Sequence, residues 1–232
     1  MTNIIKAEIY KFRKSKDMLL CLLFVGVMCY IDYKFTTGSF SSQLLSSTTT
    51  VPFLMIFILT NWAHEPMKDK TLKNYFTVGN KKSEVYFGRL ISSIIIAFFV
   101  FVMLLLSSIV ISLVQQLSIN FVHGEVLFSL LIQLVVILIY SIIYFGLASI
   151  VQNTLLSFLL CFVIAYFDNF IFSGLGKYLH ISTLTDYSLS NAADTAQKMQ
   201  YTGDLWIALV VGLAVGVLLN LLGFTILKKK TI

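Results

Sequence analysis

Apolar residues in this chain gather in long runs separated by short polar intervals, without the strict alternation of a half-buried strand. The clearest run covers residues 90–114. A second extends from 126 to 172, too long for the roughly 20 residues of one membrane crossing. Gln152, Asn153 and Thr154 interrupt it and divide it into spans at 126–151 and 155–172. A further run covers 205–227. Near the N-terminus, Met18–Ile31 and Val51–Ala63 are shorter, and their polar and aromatic ends extend them to 17–33 and 48–65. Tyr30, Tyr33 and Trp62 then fall near the membrane interfaces, where such rings are favoured. The pattern predicts an all-α integral membrane protein, one domain over 1–232 with six transmembrane helices.

The intervals have their own patterns. Over residues 1–16, Met1, Ile5, Ile9 and Phe12 recur at helical spacing, with Lys6, Lys11, Arg13 and Lys14 off that face. This predicts an amphipathic helix lying in the membrane interface. Residues 66–89 form a long polar loop, 152–154 a very short turn, and 174–203 a polar segment carrying His180, Asp186, Asp194 and Lys198.

Composition agrees: 58% of residues are hydrophobic, 12% are charged, and the mean hydropathy is +0.88. A soluble domain carries about a quarter charged residues. Of the 17 basic residues, all but Lys34, Lys177 and Lys198 lie before the first run, between the second and third, or after the last. The positive-inside rule therefore predicts both ends in the cytoplasm, with 66–89 inside and 174–203 outside. The net charge of +6 sits beside the apolar runs. That placement suits anionic lipid headgroups, at about 1 kcal/mol per basic residue, rather than nucleic acid. The basic N-terminal stretch contains Glu8 and no small-residue cleavage site follows it, so it is expected to be retained. Cys21, Cys29 and Cys161 all fall inside spans, with neither CxxC nor metal-ligand spacing.

The loop after the second span carries the most information. Leu72, Tyr75 and Phe76 stand at i, i+3 and i+4, an apolar knob on a short helix rimmed by lysines. Gly79 is the expected C′ residue ending that helix, and Gly79-Asn80 the turn. Apolar knobs of this kind suit a docking surface, the alternative being a helix lying on lipid headgroups. The loop resembles the first cytoplasmic loop of type-2 ABC exporter permeases, in the branch of bacteriocin-immunity and peptide-export systems. Those proteins show an acid after span two, a Gly-Thr-Lys-Asn-like stretch, then Gly-x-Ser-Arg, an aliphatic residue and a Gly-Lys pair. Here Glu65 matches the acid, Thr71, Lys73 and Asn74 the first block, and Gly79, Lys82, Val85, Gly88 and Arg89 the second. Lys70 replaces the usual Gly, Lys81 the Ser, Lys82 the Arg and Arg89 the Lys.

The resemblance implies that this loop, with Leu72, Tyr75 and Phe76, couples the chain to a separate ATPase subunit that binds ATP and Mg. It also implies a second permease copy or a related permease as partner, residence in a bacterial cytoplasmic membrane, and export of amphipathic peptides for secretion or self-protection. Ion or small-drug extrusion is the alternative transport role. The chain itself has no GxxxxGK[ST], since Gly174-Leu175-Gly176-Lys177 lacks the spacing and the hydroxyl residue. It is expected to be a transport subunit without its own catalysis or cofactor.

Other residues invite other chemistry. His64-Glu65 lacks the second His of HExxH, because position 68 is Lys. An intramembrane enzyme needs convergent titratable groups inside the spans, and a membrane anchor or sensor would use the loop for some other partner. Asp168 with Asn169, four residues before the expected span end at Phe172, is either an interfacial group reaching headgroups or the 174–203 segment, or a polar lining of a transport path, as is Gln133. Ser107, Ser108, Ser112, Ser141 and Ser149 are expected to bond their own backbone. Ala208, Gly212, Gly216 and Asn220, spaced by four, form a small-residue face for packing within the chain or against another subunit.

Overall fold

A computed structural model describes residues 1–35, 44, 45, 48, 51–68, 75–114, 124–151 and 153–229. The described residues form helices and connecting turns, with no strand among them. In chain order they are α1 (Thr2–Lys14), α2 (Lys16–Phe35), α3 (Val51–Lys68), α4 (Lys82–Val114), α5 (Gly124–Val151), α6 (Thr154–Leu179), a 3-10 helix (Ser182–Tyr187), α7 (Leu189–Gln197) and α8 (Gly203–Lys229). Leu44, Leu45, Thr48 and the turn 75–77 are also helical.

Four of these, α4, α5, α6 and α8, are long and apolar enough to cross a membrane. At 1.5 Å per residue even the shortest, 26 residues, exceeds a hydrocarbon core of about 30 Å. The apolar part of α3, Val51–His64, is shorter. Asn153 separates α5 from α6: its side-chain oxygen accepts from Leu155 N (3.0 Å) and Leu156 N (3.3 Å) and caps the new helix.

Centrally placed, α5 packs against α3, α4, α6, α7 and α8 and is buried along most of its length. Its closest partner is α8, along the small-residue face. Ala208, Gly212, Gly216 and Asn220 are buried within the chain, and Gly223 and Leu227 continue the stripe. A Cβ on Gly146 of α5 would lie 2.9 Å from Leu219 Cβ, so the helix axes are closer than an Ala there allows. Asn220 fixes the register: its Nδ2 donates to Ile142 O and Gly216 O (2.8 Å each), and it accepts from Tyr86 Oη of α4 at 3.0 Å. Lipid tails are as apolar as leucine, so close packing and interhelical hydrogen bonds supply the specificity that water would otherwise impose.

Three expectations change. Helix α4 begins at Lys82 and runs unbroken to Val114, so Val85, Tyr86 and Phe87 belong to one helix with the 90–114 run. Helix α6 continues past Phe172 to Leu179, and the rest of 174–203 folds back: α7 buries Leu189, Ala192 and Ala196 against α5 and α8. The buried face of α1 is Ile4, Glu8 and Phe12, one position round from the expected stripe, and Met1 is half exposed. That face meets α4, and the reason lies in Arg89, below.

Gly146→Ala should lower stability by about 1–3 kcal/mol through overpacking against Leu219. Thermal unfolding in detergent, with Gly174→Ala as a control in open space, checks this.

Candidate functional site

Pro66 removes the N–H that would bond the carbonyl of Trp62 four residues earlier in α3. In apolar surroundings such a carbonyl must find another donor. Arg89, in the second turn of α4, supplies it: its Nη2 donates to Trp62 O and Ala63 O, both at 3.1 Å. The guanidinium also lies over the Trp62 ring at 5.0 Å and the Phe145 ring at 6.0 Å. A buried cation needs an anion, and Glu8 Oε1 stands 3.4 Å from Arg89 Nε, with the two side chains 1% and 6% exposed. Tyr75 Oη, from the loop, donates to the same Glu8 oxygen at 3.0 Å. One ion pair thus joins α1, α3, α4, α5 and the loop.

This geometry relocates two expectations. The resemblance places Arg89 among residues facing a partner, but its guanidinium lies inside the chain because Trp62 O, Ala63 O and Glu8 surround it. Trp62, expected near an interface, is 2% exposed beneath it. Glu8 is the residue that sequence reasoning passed over, although it is the sole acid among the five basic residues of the first sixteen positions.

The loop ends in a Schellman motif. Asn80 N donates to Tyr75 O (3.3 Å) and Gly79 N to Phe76 O (3.0 Å), with Gly79 at φ +88°, a conformation that only glycine adopts readily. Asn80 Nδ2 adds a bond to Tyr75 O at 2.9 Å. Glu84 then accepts from Lys81 N at 3.1 Å and caps the start of α4. Tyr75 and Phe76 are half-buried against Ile4 and Val85, so the expected knob rests partly on its own chain. Among the described residues of the turn, Val78 exposes its apolar side chain, 81% accessible. Lys82 Nζ donates to Lys228 O at 3.2 Å, tying the base of α4 to the end of α8. Lys70, Thr71, Leu72, Lys73 and Asn74 lie outside the described residues, as does the side chain of Glu65.

The remaining candidates do not converge on this clamp. Gln133 is buried, donating to Leu45 O at 3.3 Å and accepting from Thr48, which fastens α5 to those two residues. His64 Nε2 meets Ser157 Oγ at 2.9 Å, linking α3 to α6. Ser141 and Ser149 donate to Leu138 O and Phe145 O of their own helix.

Asp168 lies deep in α6, eleven residues or about 16 Å before its end, because that helix is longer than the apolar run suggested. Its Oδ2 accepts from Tyr140 Oη (3.1 Å) and Ser190 N (2.8 Å), and its Oδ1 from Asn169 N (2.6 Å) and Ser190 Oγ. Ser188, the N-cap of α7, donates to Asn169 Oδ1 and accepts from Asn191 N at 3.2 Å. The two polar residues therefore hold the start of α7, where a carboxylate also complements the helix dipole. Among the described residues no group of His, Cys, Asp and Glu could hold a metal ion.

The chain matches no protein-family model and no curated relative.

Replacing Arg89 by Met should cost about 3–5 kcal/mol, since Glu8 is left buried and unpaired. In a Pro66→Ala background, where the helix regains its own donor, that cost should shrink by about 1 kcal/mol, as a double-mutant cycle of thermal unfolding will show. A second expectation concerns Asp194 in α7. Partial burial holds its carboxyl above the ordinary range, Lys198 pulls it down, and Asp168 raises it further. Folding then takes up a proton, and stability falls as pH rises from the unfolded value of about 3.9 through the raised folded one. Asp194→Asn should therefore match or exceed the unsubstituted protein in Tm at neutral pH, with the difference closing on acidification.

Proposed function

We propose that this chain is the permease subunit of a bacterial ABC exporter. In this reading it has six spans and both ends in the cytoplasm, and it works with a second permease and a separate ATPase. Loop 66–89 seats in the ATPase, and ATP and Mg act there rather than on this chain. Substrates are amphipathic peptides moved outward for secretion or self-protection.

The observation that carries this reading is the construction of the loop. A glycine-ended helical turn presents exposed Val78 at its tip, while Tyr75 at its base bonds the buried pair of Glu8 and Arg89. A loop that only connected helices would have no use for a route from its tip to the junction of four helices. A push on this turn reaches Glu8 through Tyr75, then Arg89, then the Trp62 and Ala63 carbonyls of α3. The lack of a phosphate-binding motif and the placement of the basic residues support the same division of labour. Arg89 and Glu8 act here as transmitters, and Val78 with its neighbours as the contact.

Val78→Glu tests the reading without disturbing the interior. Tagged protein purified in mild detergent should co-purify with a P-loop ATPase at near-equal stoichiometry, and the variant should retain less than about a tenth of it. Recovery of the unsubstituted chain alone, or equal ATPase recovery with both, would sink the assignment.

A further inference from the structure

A cavity of about 270 Å³ lies between α6 and α8. The two helices do not pack directly as neighbours among the described residues: each packs on α5, on α7 and on the 3-10 helix. The space is therefore a slot. Tyr140 and Ile143 of α5 form its floor, Ile164 and Ile171 of α6 one wall, Val211 and Val215 of α8 the other, and Leu189 of α7 part of its roof.

Chemistry and access together define what fits. The one charged lining group, Asp168, accepts four hydrogen bonds on two oxygens, which fills the roughly four lone-pair sites of a carboxylate. It has no capacity left for a cation, and Tyr140 spends its hydroxyl on the same carboxylate. The rest of the wall is aliphatic or aromatic apart from Tyr187. Access is lateral: Ile171 and Val215 are 39% and 41% exposed, whereas Tyr140 and Ile143 on the floor are 2% and 3% exposed. The mouth opens between two membrane-length helices that also expose the apolar side chains of Phe170 and Val210.

We infer that this slot binds the hydrocarbon chain of a bilayer phospholipid, inserted sideways between α6 and α8. An apolar lining suits an alkyl chain, which gains dispersion contacts with the close-packed walls relative to bulk lipid. The mouth lies between the exposed apolar sides of α6 and α8, which in a bilayer would face phospholipid tails, so no other molecule has to be recruited. The Asp168–Ser190 bonds keep α7 in place as a roof and give the slot a closed end. The inference is independent of the export reading, because it concerns lipid and needs no ATPase.

Photo-crosslinking tests it. The full chain is reconstituted in phosphatidylcholine–phosphatidylglycerol vesicles containing a phospholipid with a diazirine in one acyl chain, and adducts are mapped by peptide mass spectrometry. Adducts are expected on Tyr140 and Ile143 as well as on Phe170 at the surface. Val211→Trp should fill the slot and cut floor labelling at least tenfold while Phe170 labelling persists and cooperative thermal unfolding in detergent shows that the variant is folded. Val215→Trp at the mouth serves if Val211→Trp does not fold. Labelling of Phe170 without the floor, floor labelling that survives both blocking variants, or a mouth shielded by a second copy of the chain would each overturn the inference.

Discussion

A single missing backbone hydrogen organises one end of this molecule. Pro66 leaves the Trp62 carbonyl without its helical donor, in a region where water cannot replace it. Arg89 meets that need, and every later step follows from its charge. The cation requires Glu8, which draws α1 onto α4 by a face containing an acid, and Glu8 in turn orients the Tyr75 hydroxyl. A guanidinium suits this position because its planar fork can serve two carbonyls while lying over Trp62 and Phe145. An ammonium would offer one compact charge in place of that geometry.

Away from this pair the helices are held by a different device. Between α5 and α8 the glycines permit close approach and Asn220 sets the register, while Tyr86 brings α4 into the same contact. Tyr86 also packs edge-on against Phe145, whose ring flanks Arg89. The ion pair and the amide contact thus share a wall. The base of α4 therefore contributes to both, through Arg89 and through Tyr86.

Deeper along α6, Asp168 and Asn169 hold α7 by its first turn. A carboxylate buried among apolar side chains is costly unless it is saturated, and here Tyr140, Ser190 and the backbone of Asn169 saturate it. This favours a fastening role over the polar path lining considered from the sequence. It also explains why a segment with the composition of a surface loop folds back onto α5 and α8.

The long apolar runs, the break at Asn153, the helix stop at Gly79 and the small-residue stripe of α8 are all legible in the sequence. Each depends on local chemistry: side-chain hydropathy over a full helix length, a capping amide, a residue tolerant of positive φ, or spacing on one helix face. What the sequence could not disclose are pairings between distant residues. Glu8 looked like a stray acid in a basic stretch and Trp62 like an interfacial ring until α1 and α4 met around Arg89. Asp168 looked close to a helix end because hydropathy falls after Phe172, while the hydrogen bonds that carry α6 on to Leu179 do not depend on hydropathy. Where the long apolar helices run was already written in local composition, whereas α7 and the added turns of α4 and α6 were not. Only the tertiary structure decided which buried charge meets which donor, because those partners are set by packing across the chain.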